Sequence, residues 1–222
     1  MRHIAIYDLD RTILKRPTFT AFLFFAAGQL GRRLWWRIPL WIAALIGYRM
    51  KLFGRKPLKQ YGMRLFIGKR LERQQGNAIA ADFAKMHVPT GVLPGAARTI
   101  AADRAMGRML VIASAAQQFY VEAIAAALQF DAVIATRNVQ NAGGYLHLLD
   151  GENCYGAEKL ARVEQWLAEQ DISRENAYIR FYSDHPSDSP LLDWADEGML
   201  VTAAPKYRMI AKARGWSVQD WS

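Results

Sequence analysis

Short apolar runs that alternate with longer helical stretches constrain this chain more than any other feature. The runs at residues 3–7, 109–113, 132–135, 177–182 and 199–202 are four to six residues long. Near-continuous apolar runs of that length suit strands buried on both faces. Between and around them, residues 96–106, 117–128, 157–170 and 206–213 read as helices, and residues 139–149 as a hairpin turning at Gly143-Gly144. Strands joined by helical crossovers return parallel, so the expected class is α/β: a doubly wound, Rossmann-like parallel sheet. In such sheets, sites gather at the carboxyl ends of the strands.

The chain has 222 residues, enough for a real core, and 52% apolar with 22% charged residues excludes a disordered chain. The single cysteine, Cys154, excludes a disulfide framework and an all-cysteine zinc site, and reads as a plain buried thiol. The first apolar run is too short for a secretory h-region, so a reducing, cytoplasmic location is expected.

The formal charge of +9 is not evenly spread. Residues 32–73 contain twelve Lys or Arg and one acid, Glu72, a balance of +11, while the rest of the chain sums to −2. The same region is the most apolar. Residues 18–30 carry no charge, and residues 34–48 carry only Arg37. A helix of fifteen residues spans about 22 Å, short of the roughly 30 Å hydrocarbon thickness, so neither stretch is a convincing single-pass span. Two readings stand. An interfacial hairpin would set Trp35, Trp36 and Trp41 at headgroup depth with the arginines on anionic lipid. A helical cap would pack its apolar faces on themselves. Residues 88–95, rich in proline and glycine, read as the linker back to the sheet.

Polar residues follow the apolar runs. Asp8 and Asp10 come directly after the first, in DLDRT; Ser114 follows the second; Lys159 opens a helix in GAEKL; Asp184 and Asp188 follow the YIRFY run in SDHPSD. Singly each is unremarkable: Ser114 reads equally well as an anion ligand or a helix N-cap, and a lysine such as Lys159 is usually solvated. Together they supply a carboxylate nucleophile, hard oxygen ligands for magnesium and two phosphate-binding groups.

The sequence resembles the haloacid dehalogenase (HAD) superfamily, subfamily IB, which includes phosphoserine phosphatase-like and C-type phosphatidylglycerophosphatase-like enzymes. DLDRT is similar to the DxDxT motif, with Arg11 where glycine is frequent. Residues 112–125 resemble the second motif, NCYGAEKL the lysine motif, and FYSDHPSDSPLLDWAD the YSDSxxDxPLL signature, with His185 where serine is usual. The resemblance implies a phosphatase core over residues 1–16 and 93–222 and a helical cap over residues 17–92, inserted after the first strand. It implies Asp8 as nucleophile forming an aspartyl-phosphate, Asp10 as general acid and base, and Ser114 and Lys159 as phosphate ligands. Mg²⁺ would be held by Asp8, Asp10 through its backbone carbonyl, and Asp184, with Asp188 beside them or acting through water. Arg137 is a candidate to orient Asp188 or the phosphate, or to form a structural ion pair. His185, in an oxygen-rich setting, is not expected to bind the metal.

The cap is rich in cations and has only Glu72 as an acid before Asp82. It suits an anionic substrate better than a zwitterion. The expected function is therefore a Mg²⁺-dependent phosphomonoesterase acting on a lipid phosphate such as phosphatidylglycerophosphate, peripheral on the inner face of an anionic membrane. The alternative is a soluble phosphatase of phosphoserine or another small ester. A non-catalytic membrane-surface or nucleic-acid-binding module is disfavoured because every catalytic position is filled, and no nucleic acid partner is expected.

Overall fold

The structure, a computed structural model, describes residues 1–221. Arg2–Tyr7 (β1) leads into three helices, Thr18–Gln29 (α1), Arg37–Arg49 (α2) and Arg55–Phe66 (α3), then the short strand Arg70–Glu72 (β2) and the long helix Arg73–Gly91 (α4). Pro94–Ala105 (α5) precedes Met109–Gln117 (β3), Gln118–Ala127 (α6), the hairpin Ala132–Asn141 (β4) and Gly144–Asp150 (β5), and Ala157–Glu169 (α7). Ala177–Ser183 (β6), Ser189–Trp194 (α8), Glu197–Val201 (β7), Pro205–Arg214 (α9) and Ser217–Gln219 (β8) follow.

The strands form one sheet in the order β2-β5-β4-β3-β1-β6-β7-β8. From β4 to β8 all neighbours are parallel, while β5 and β2 add an antiparallel edge. The α/β class and the doubly wound sheet expected from the sequence are what the chain forms. β1 lies in the middle, and the chain winds outward from it on both sides, so the topological switch point falls at the end of β1. Alternation along the strands sends Ala5, Tyr7, Leu110 and Ile112 to the layer that also holds Phe83, Ile100 and Ile124 of α4, α5 and α6. Ile4, Ile6, Val111 and Ala113 face the opposite layer, with Val163, Leu191 and Ala211 of α7, α8 and α9.

Two expectations change. Residues 88–95 are not a linker: α4 continues through Pro89 to Gly91, and Pro94 opens α5. A first-turn proline lacks only an N–H that would have had no helical partner, so proline density marks helix ends here and not loose chain. Nor is Trp41 at an interface. It is 1% exposed, edge-on to Phe19 and Phe66. It sits against Gly62, where a Cβ would lie 2.9 Å from the indole ring. The uncharged α1 is likewise core, with Phe22 stacked on Tyr120 at 4.3 Å and edge-on to Phe83. The outer face of α2 is different. Leu40, Ile42, Leu45 and Ile46 are exposed, as are Trp35 (73%) and Trp36 (40%) just before it. Among the described residues no helix is long and apolar enough to cross a membrane.

Candidate active site

Asp8, Asp10, Ser114, Lys159, Asp184 and Asp188 line one cavity of about 590 Å³ at the carboxyl edge of the sheet. Four separate segments meet there because β1, β3 and β6 are adjacent and parallel and α7 packs against β3.

The first loop is wound tightly. The amide of Arg11 donates to the carbonyl of Leu14 at 2.7 Å, and those of Ile13 and Leu14 to the carbonyl of Leu9. Arg11 has φ +64°, the left-handed region that favours glycine. That agrees with glycine being the frequent residue at this position of the motif. Thr12 is fully buried, and its Oγ1 accepts the Asp184 amide at 2.9 Å, tying the loop after β1 to the loop after β6. Asp10 accepts the amide of Thr18 at 2.9 Å, which anchors its carboxylate to the start of α1.

Lys159 is the electrostatic centre. Its Nζ donates to Asp8 Oδ1 at 2.8 Å and to Asp188 Oδ2 at 2.6 Å, with all three side chains buried. Burial works against the ammonium, but Asp188 and Asp8 override it and its pKa is raised. Asp8 is raised by burial, with Lys159 opposing and the charges of Asp188 and Asp184 adding to the rise. Asp184 is pushed up to about 6 by burial, with Arg11 pulling down and Asp188 pushing up. Asp188 Oδ2 also accepts from Ser183 Oγ at 2.8 Å, while its Oδ1 is buried without a hydrogen-bond partner.

This is a crowded set of carboxylates: Lys159 pairs with Asp8 and Asp188, and among the described residues Asp10 and Asp184 have no cation within ion-pair distance. Among the described residues no three His, Cys, Asp or Glu side chains form a ready metal cluster. Asp8 and Asp184, with the Asp10 carbonyl and water completing the set, would make a different kind of site. The donors are all oxygen, and the orphaned Asp188 oxygen beside them lacks a positive partner. That chemistry fits a hard divalent cation such as Mg²⁺.

The remaining expectations sort clearly. Ser114 is buried and within β3; its Oγ accepts the Ala116 amide at 3.1 Å, and the residue before α6 is Gln117, so Ser114 is not a helix cap. Arg137 is exposed, hydrogen-bonds Gln118 and does not line the cavity, so it neither orients Asp188 nor makes a structural ion pair. His185 lines the cavity, but its Nδ1 accepts the Ser187 amide at 3.0 Å, a local turn contact. Cys154 is buried, with its thiol pushed up to about 11 by burial.

The sequence reading missed Lys59. This residue of α3 is 8% exposed, lines the cavity, and donates to the Ala115 carbonyl and to Asn153 Oδ1. Burial lowers its pKa to about 7, with Asp10 pulling back up and Arg55 adding to the fall.

A haloacid dehalogenase-like hydrolase family profile matches residues 5–193. The chain belongs to the haloacid dehalogenase-like hydrolases. It is 29% identical over 229 aligned residues to a probable phosphatase from Mycobacterium tuberculosis, covering 100% of this chain and 76% of that protein. Its fold superposes on a protein of unknown function from Bordetella pertussis Tohama I with a TM-score of 0.87, covering 100% of both chains at 24% identity. A phosphoserine phosphatase, solved as a phospho-aspartyl intermediate analogue, gives 0.63 over 100% of this chain and 94% of that one at 16% identity.

Proposed function

We propose that this chain is a Mg²⁺-dependent phosphomonoesterase that works through an aspartyl-phosphate on Asp8 and acts on a lipid phosphate at an anionic membrane surface. The observation that carries the chemistry is the convergence of Asp8, Asp10, Ser114, Lys159, Asp184 and Asp188 on one cavity. A carboxylate oxygen of Asp8 attacks phosphorus, and the ester bond to the leaving oxygen breaks. Asp10 hands its proton to that oxygen, because an alkoxide leaves poorly without an acid. Burial raises the Asp10 pKa, which favours the protonated form that this step needs. Asp10 then takes a proton from the water that cleaves the acyl-phosphate, restoring Asp8 and releasing phosphate. Ser114 and Lys159 hold phosphoryl oxygens, and Lys159 lessens the repulsion between the dianion and Asp8. Asp8, Asp184 and the Asp10 carbonyl, with Asp188 beside them, would hold Mg²⁺, which when bound would supply neutralisation of charge on the transferring group.

Two features favour a lipid. Leu45 and Tyr48 of α2 line the cavity, and Leu45 also belongs to the exposed apolar face of that helix. The apolar surface is thus continuous with the cavity mouth. No acid lies between Arg11 and Leu71, so every charge that this segment itself contributes is positive. A zwitterionic amino-acid phosphate would want an acid for its ammonium, and none of the cavity's acids comes from the cap.

A panel of phosphomonoesters with one lipid phosphate in micelles tests the reading. Turnover should require Mg²⁺, vanish with excess chelator, and be fastest on the lipid. Activity that persists in chelator removes the metal, and a preference for phosphoserine removes the lipid. The double variant Trp35→Ser/Trp36→Ser should leave vesicles rich in phosphatidylglycerol. Each buried indole contributes roughly 1.5–3 kcal/mol, so partitioning should weaken by at least about ten-fold. Sedimentation with vesicles reads it, and unchanged binding would remove α2 from the membrane.

A further inference from the structure

The cavity has two ends of different origin. Ser114, Lys159 and the four aspartates belong to the sheet; Arg55 and Lys59 are one turn apart on α3 and line the same cavity. Lys159 is committed to Asp8 and Asp188. Among the described residues neither Arg55 nor Lys59 has a carboxylate within ion-pair distance.

Three properties of this pair are costly unless an anion comes to it. Lys59 is more than nine-tenths buried, and its three N–H donors meet two neutral acceptors, the Ala115 carbonyl and Asn153 Oδ1. A buried ammonium without a counter-charge is strongly disfavoured. Arg55 is held flat over the Tyr155 ring at 3.5 Å, with its Nε donating to Tyr48 Oη at 2.9 Å, so its guanidinium is positioned and not free to wander. Finally, the first turn of α3 has no acid of its own; Lys56 pairs with Glu152 outside the cavity at 2.8 Å, which leaves Arg55 as the cation of that turn on the cavity side. Cations at a helix N-terminus oppose the helix dipole, which favours an anion there.

We propose that Arg55 and Lys59, one turn apart on α3, form a second anion subsite, which receives a further negatively charged group carried by the phosphomonoester. The substrate class is then a phosphomonoester with a phosphodiester or a carboxylate a few bonds from the scissile ester. This rests on the phosphatase reading and narrows it. It concerns what the cap recognises, whereas the aspartate cluster concerns what is cleaved. An anion beside Lys59 also holds its ammonium charged against the pull of burial.

Binding of unreactive phosphonates tests the subsite without requiring turnover. Calorimetry with the Mg²⁺-loaded protein compares benzylphosphonate with phosphonates of similar size that add a carboxylate or a methyl phosphodiester. The wild type should bind at least one of the two-anion ligands ten-fold or more tightly than benzylphosphonate, and the better of the two identifies the second group. Lys59→Met and Arg55→Met should each erase most of that preference. Circular dichroism checks folding, and Arg55, half-buried, provides the arm that survives should Lys59→Met not fold. Equal binding of all three ligands by the wild type overturns the subsite, as does a preference that both variants keep. Absence of hydrolysis of any phosphomonoester would overturn the phosphatase reading and leave this comparison standing.

Discussion

Asp8→Asn ends turnover and leaves the fold standing. The amide oxygen keeps the shape of the side chain and still accepts from Lys159 Nζ, which lies 2.8 Å from Asp8 Oδ1. An amide does not form a stable acyl-phosphate, so kcat should fall by at least about 1,000-fold, some 4 kcal/mol of barrier. Stability should hold or rise. Burial and the neighbouring Asp188 and Asp184 already work against the Asp8 charge, so removing it relieves repulsion. The measurement pairs steady-state hydrolysis of an aryl phosphate with thermal unfolding. A variant that unfolds early while its folded fraction retains activity would mean that Asp8 is structural and the nucleophile lies elsewhere.

Lys159→Met is the opposite case, a change that damages the fold as well as the chemistry. It removes the shared partner of Asp8 and Asp188 and leaves two buried carboxylates facing each other. Breaking a buried ion pair from one side costs about 3–5 kcal/mol. The sign of the pH dependence follows. In the wild type the lysine pulls the Asp8 pKa down against burial; in the variant that pull is gone and the carboxyl titrates higher still. At high pH the variant must bury charge without a partner, and at low pH it buries a neutral acid. The gap in unfolding free energy between wild type and variant should therefore be widest above pH 8 and shrink as the pH falls. Urea denaturation in chelator at several pH values reads it, and a gap independent of pH would show that the loss is packing alone.

The strands were legible because strands buried on both faces admit little but apolar residues, and β1, β3, β6 and β7 follow that rule. The six candidate residues that share the cavity were singled out differently: unremarkable one by one, they stand together in the segments that resemble the family's motifs. β2 and β8, three residues each, are too short to carry a period. Lys59 was hidden in a different way. It is one of twelve cations in its segment, and what buries it lies 56 and 94 residues further along, at Ala115 and Asn153. The three tryptophans of the cap look alike in sequence, but helical phase separates them: Trp41 turns inward while Trp35 and Trp36 precede the helix and stay out. In a stretch apolar on every side, no polar face announces which way is in.

The antiparallel pairing of β2 with β5 changes what the cap can do. Arg70, Leu71 and Glu72 are laddered to Leu146, Tyr145 and Gly144. At Gly144, φ is +139° and a Cβ would lie 2.1 Å from the Leu71 carbonyl, so the two strands meet more closely than any side chain would allow. α4, the next element, lies against α6 with Phe83 and Tyr120 in edge contact. The last part of the inserted segment, β2 and α4, is thereby stitched to the sheet and to α6. α2 and α3 stay outside the sheet, yet α3 is tied to the core by Lys59 on Ala115 and Asn153 and by Lys56 on Glu152. These two helices carry the exposed apolar face on one side and Arg55 and Lys59 of the cavity lining on the other, so one pair of helices meets both the surroundings and the site.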